Sequence, residues 1–159
     1  MDLYTFIDFL IDNKLITGNL EGETDEAFEN RLKIQKYVLI ARHLGITEFN
    51  RYEYDLYIYG PYSSMLADEY YEYARGNTNT NTTITNSSND IDNVADRFLG
   101  IVRGKDSDWL EVAGTILHLS EKYDNKDTVL SLAIDIKGHR FGAERIKQIF
   151  KELEGHGLL

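Results

Sequence analysis

The chain contains no cysteine. That excludes disulfides, thiolate zinc sites and a cysteine nucleophile, and it fits a reducing compartment. No apolar run approaches the ~20 residues that a membrane span needs. Asp2, Asp8 and Asp12 interrupt the apolar residues near the start, and no basic stretch precedes them, so the start does not read as a signal peptide. The expectation is a soluble, cytoplasmic protein with no membrane partner. Positive charge is also scarce: 17 Lys and Arg stand against 27 Asp and Glu, a net charge of -10. Such a field repels phosphate backbones, which disfavours DNA as a partner for the surface as a whole. The imbalance is uneven. Residues 1–137 hold 13 basic against 24 acidic side chains, and residues 138–159 hold 4 against 3.

What is present is enough for one compact domain, because a chain of 159 residues buries roughly 70% of the surface its unfolded form exposes. Leu3, Phe6, Ile7, Leu10 and Ile11 follow helical spacing and predict a helix over about 2–14. Thr24 followed by Asp25 and Glu26 starts a second helix, which runs to Leu44 with Gly45 as its stop. Phe28, Leu32, Ile34, Tyr37, Val38, Ala41 and Leu44 give it a wide apolar side, so it is expected to be central. The period changes from Phe49 to Tyr59, where alternation predicts a strand that Gly60-Pro61 must end. Ser63 or Ser64 then caps a helix that stops at Gly76.

The segment 77–89 reads NTNTNTTITNSSN. With one strong apolar residue, Ile84, it is expected as a flexible loop between a lobe at 1–76 and a helical lobe at 90–159. The second lobe carries helices over about 90–103, 107–122, 127–137 and 143–154. Asp106 or Ser107 caps the second of these, Asp127 caps the third and Gly138 closes it. The fold class is mainly α with a small β element, its last three helices resembling the tri-helical part of a winged helix.

Eight of eleven tyrosines lie within 52–73. Tyrosine combines contact area with a hydrogen-bonding tip, which suits an interface. Alternation places Tyr52 and Tyr54 on one face and Tyr57 and Tyr59 on the other. Tyr57, Tyr59, Tyr62 and Ser63 are therefore the candidate protein-binding residues. The run Tyr59-Gly60-Pro61-Tyr62-Ser63 predicts a rigid strand-to-helix corner. It is no nucleophile elbow, which needs glycine on both sides of the serine.

On this corner, on Lys33-Ile34-Gln35-Lys36-Tyr37-Val38-Leu39-Ile40, and on the closing Leu153-Glu154-Gly155-His156-Gly157-Leu158-Leu159, the chain resembles a family of uncharacterised archaeal and bacterial proteins. More distantly it is similar to the Panacea domains, which also place a Lys-Leu/Ile helix before a Tyr-Gly-Pro corner. The resemblance implies no enzyme activity. It implies an antitoxin or adaptor that binds another protein.

A second reading places DNA on the last helix, where Lys147 and Lys151 on one side, Arg145 and Gln148 adjacent, and Arg140 just ahead of its start give a mixed basic face. Glu144 and Glu152 dilute that face, and no residues remain to build a wing. His43, His118, His139 and His156 show no i, i+4 pair, so no metal site is expected, and His118 reads as a satisfied core histidine. There is no phosphate-binding glycine loop, no catalytic set and no cofactor motif. The sequence therefore points to a non-enzymatic regulator or adaptor whose partner is a protein, with a homodimer as one form of it, and to a DNA-binding transcriptional regulator as the alternative.

Overall fold

The computed structural model describes residues 1–76 and 88–159. Two long helices set the architecture. Helix α2 (Asp25–His43) follows α1 (Leu3–Asp12), and α5 (Ser107–Lys122) follows α4 (Ser88–Val102). In α2 every residue from Ile34 to Ala41 is buried, and in α5 every residue from Trp109 to Leu119 is buried. Helices buried on all sides belong at the centre, and these two pack against each other. Around them lie a two-stranded antiparallel sheet, β1 (Asp55–Tyr57) with β2 (Gly60–Tyr62), and the helices α3 (Ser64–Ala74), α6 (Lys126–Phe141) and α7 (Ala143–Gly155). The fold is mainly α with a small β element. The buried apolar residues form one cluster running from Leu3 to Leu158, so the two halves of the chain share a core. No helix among the described residues is long and apolar enough to cross a membrane.

The helix starts follow capping chemistry. Side chains of Asp2, Thr24, Ser63, Asp106 and Asn125 each accept a hydrogen bond from a backbone N–H three residues on. Helix α6 departs from expectation at both ends. Asn125 caps it rather than Asp127, and it runs through Gly138 to Phe141, where Gly142 at φ 78° ends it. A mid-helix glycine costs about 1 kcal/mol relative to alanine. Here the added turn carries Arg140, which joins Lys137 in pairing with Glu111 of α5. Most of the expected loop 77–89, together with Ile84, lies outside the described residues, and its last two residues, Ser88 and Asn89, belong to α4. Helices α5, α6 and α7 touch one another pairwise, and Leu158 folds back into the core rather than starting a strand.

The largest correction concerns 49–62. The expected long strand is broken into a 3-10 turn at Thr47–Arg51, an extended link, the short β1, a two-residue turn at Ile58–Tyr59, and β2. Gly60-Pro61 does not end a strand. It begins the returning strand of a hairpin, with Tyr57 opposite Gly60 and Leu56 opposite Pro61. Neither turn residue has positive φ, and Gly60 follows at φ 94°. This is the arrangement of a type I turn closed by a left-handed glycine. Pro61 is tolerated because both strands of so small a sheet are edges, and β2 rests on α5 instead of a third strand.

Gly60 has a second constraint besides its backbone. A Cβ there would lie 3.2 Å from the Glu111 carbonyl oxygen, whereas one on Gly45, at φ 107°, would meet nothing within 4 Å. Alanine at Gly45 therefore carries only the conformational cost, about 1 kcal/mol, and alanine at Gly60 adds a backbone clash. Urea unfolding is expected to show Gly60→Ala as the more destabilised of the two, by about 1 kcal/mol or more. Equal losses would show that the hairpin can move off α5 freely.

Candidate functional site

The hairpin is fixed from below. Gln35, buried in α2, receives the Ser63 N–H at 2.8 Å on its Oε1 and donates Nε2 to the Ser63 carbonyl at 3.0 Å. Both residues are 1% exposed. Ser63 is thus a structural cap and tie, not part of a binding surface. Tyr52 and Tyr54 are buried, although they lie in the extended link before β1 and not in a strand. Tyr52 donates its hydroxyl to Glu69, and Tyr54 donates to the Gln35 carbonyl at 3.3 Å. Burial pushes both phenols well above the ordinary tyrosine range.

The opposite face is open. Tyr57 is 60% exposed, Ile58 77% and Tyr59 42%. Tyr62 is half-buried and meets Tyr57 edge-to-face at 5.4 Å between ring centres. Phe28, expected on the apolar side of α2, is instead exposed and packs edge-to-face on Tyr59 at 5.7 Å. The tip of the hairpin therefore shows aromatic and aliphatic surface with no charge of its own.

Beneath the tip lies a cleft of about 320 Å³ between α2, α5, the hairpin and the end of α6. Its floor is charged. Glu111, buried in α5, accepts on one carboxylate oxygen from Lys137 at 2.9 Å and from Arg140 at 2.7 Å. Lys137, also buried, donates to the Ile58 carbonyl at 2.9 Å and so holds the turn from inside. The Arg140 guanidinium sits over the Tyr59 ring at 5.8 Å. Lys36 of α2 is 2% exposed and lines the cleft, yet it forms no ion pair or hydrogen bond among the described residues. Its stem passes between two glycines: its Cε would be 3.4 Å from a Cβ on Gly60, and its Cγ 3.1 Å from one on Gly114. Burial lowers the Lys36 pKa to about 8, with Glu111 opposing the shift and Lys137 adding to it.

The sequence singled out Tyr57, Tyr59 and Tyr62, and the hairpin brings these together. It missed Lys36, Glu111 and Lys137, whose signal is the placement of each in a stretch that is otherwise core. The basic face expected on the last helix is not assembled. Arg140 turns into the cleft, and Arg145 faces Asp106 at 3.5 Å and Asp108 at 3.9 Å. Lys147 lies 3.4 Å from Glu144, leaving Gln148 and Lys151 exposed beside it. His118 is buried as expected, but its Nδ1 has no hydrogen-bond partner among the described residues, and burial holds its pKa below the usual value. No group of His, Asp and Glu able to hold a metal occurs among the described residues.

Compared with known proteins, the chain matches no family model, and neither a curated protein nor a solved structure matches it at a significant level.

A buried lysine without a counter-ion costs stability. The folded pKa lies below the unfolded one, so between about pH 8 and 10.5 the unfolded chain binds more protons. Stability therefore rises through that window, and below it the whole penalty is present. Lys36→Met keeps most of the stem and removes the charge. It is expected to be more stable than the parent by about 1–3 kcal/mol at pH 7, with the gain shrinking toward pH 10. Urea unfolding followed by circular dichroism at both pH values checks this, and a variant weaker than the parent at pH 7 contradicts it.

Proposed function

We propose that the protein is a non-enzymatic, cytoplasmic regulator or adaptor that binds a protein partner through the tip of the hairpin, in the manner of the antitoxins and adaptors it resembles. One observation carries the reading. Three consecutive large side chains, Tyr57, Ile58 and Tyr59, stand exposed on a turn that buried groups hold rigid. Single exposed apolar residues are ordinary, but a contiguous aromatic group extended by Phe28 and Tyr62 is the composition of an interface centre. Rigidity favours the same use, since little side-chain or loop entropy is lost when such a turn binds. The DNA reading draws less support, because Arg140 and Arg145 are engaged with carboxylates.

A pull-down from native lysate with the wild-type chain is expected to recover one partner in stoichiometric amount. Tyr57→Ala with Tyr59→Ala, both on exposed positions, is expected to reduce recovery about ten-fold or more, a loss of 1.4 kcal/mol or greater, with the helical circular dichroism unchanged. Recovery that ignores the double variant counts against the hairpin. Saturable duplex binding at low salt that is lost on Lys147→Glu favours the DNA reading instead.

A further inference from the structure

We infer that the cleft beneath the hairpin is a binding site for a small organic acid, a carboxylate carried on an apolar or aromatic body. The inference stands on the cleft alone and needs no protein partner. A volume of about 320 Å³ lies within the range of small-molecule sites, roughly 300–1,000 Å³.

The charge balance selects the ligand's sign. Three cations, Lys36, Lys137 and Arg140, surround the single carboxylate of Glu111, and two of them already share one of its oxygens. The third, Lys36, is 2% exposed and lines the cleft, and its ammonium forms no ion pair or hydrogen bond among the described residues. The acids at the mouth do not cancel this excess, because they are engaged locally. Glu29 holds Lys33 at 3.5 Å and accepts from Ser107 at 2.8 Å, and Asp108 faces Arg145. Asp25 lies in the first turn of α2, against the positive end of its dipole. The positive charge left without a counter-ion is thus at the floor.

The walls select the body. Phe28, Leu32, Tyr59 and Leu110 give the cleft apolar sides, with the Phe28–Tyr59 pair at its mouth. A ligand entering there places its apolar part against Leu32, Leu110 and the outer side of the Phe28–Tyr59 pair, and its anionic head against Lys36 and Arg140. A monovalent head matches the one cation left without a partner, so a carboxylate fits better than a dianion such as a phosphate monoester. The bound carboxylate supplies the partner that Lys36 lacks, so affinity should fall as pH rises above about 8, where the amine loses its proton.

The test titrates the full-length chain with benzoate at pH 7, followed by amide chemical shifts, with benzamide as the uncharged control. Saturable shifts in α2 and the hairpin are expected with benzoate. Benzamide should bind about ten-fold more weakly or worse, and Lys36→Met should weaken benzoate by the same factor. Lys147→Met, on the remote face of α7, should bind as the parent does. Arg140→Met removes the second contact from an exposed position and should also weaken benzoate, which keeps the test decisive if Lys36→Met fails to fold. Absence of saturable shifts with benzoate, phenylacetate and hexanoate overturns the inference. So does equal binding of benzamide, or unchanged benzoate binding in a folded Lys36→Met or Arg140→Met chain.

Discussion

The hairpin and the cleft beneath it depend on how closely α2 and α5 approach. The approach rests on glycine. Gly114 has no side chain, so the Lys36 stem of α2 lies against the α5 backbone, and Pro61 of β2 packs on the same spot. Gly60 repeats the device from the hairpin side, next to the Glu111 carbonyl. With a larger residue at either place the three elements would separate. Gln35 could not then reach both polar groups of Ser63, and Lys137 could not reach the Ile58 carbonyl. Packing of this density transmits shape, because a core admits few intermediate arrangements.

That close approach traps charge. Lys36, Glu111 and Lys137 are carried into the interior on the two central helices and on α6, and their burial costs more than the same volume of apolar side chain. Glu111 offsets part of the cost by meeting Lys137 and Arg140, and Lys137 completes its shell with a backbone carbonyl. Lys36 gains no such compensation, and burial lowers its pKa to about 8. A methionine of similar length would pack the same stem without that cost.

The sequence discloses the helices well because their signals are local. Caps at Thr24, Ser63 and Asp106, and the apolar period of α1, need no knowledge of the rest of the chain. It misleads at 49–62, where alternating tyrosines imitate one long strand. The hairpin depends on Gly60 adopting positive φ and on a seat for β2 against α5, some fifty residues on, which leaves no room for a side chain at that glycine. Helix α6 outruns Gly138 for the same kind of reason: its last turn is held by Glu111 of another helix. Half of the candidate site was legible. The density of tyrosines marks the aromatic tip, but the alternation that assigned Tyr57 and Tyr59 to one face belongs to a strand that does not form, and it placed the exposed Ile58 with the buried set. Nothing marks the charged floor, because no spacing rule connects Lys36, Glu111 and Lys137, and only the tertiary fold makes them neighbours. The basic face of the last helix fails for a related reason. A helical wheel shows where Arg140 and Arg145 project but not the acids that α5 and the chain just before it place opposite them.

Tip and floor are one mechanical unit. The turn that displays Tyr57, Ile58 and Tyr59 receives a hydrogen bond from Lys137 on its inner side, and Tyr59 carries the Arg140 guanidinium against its ring. Both cations share the Glu111 oxygen. Arg140, Glu111, Lys137 and the Ile58 carbonyl thus form one continuous chain of contacts of ordinary hydrogen-bond length. The exposed tyrosines and the charge buried below them are two sides of the same few residues, so a substitution at Glu111 removes the support of the turn and the partner of both cations together.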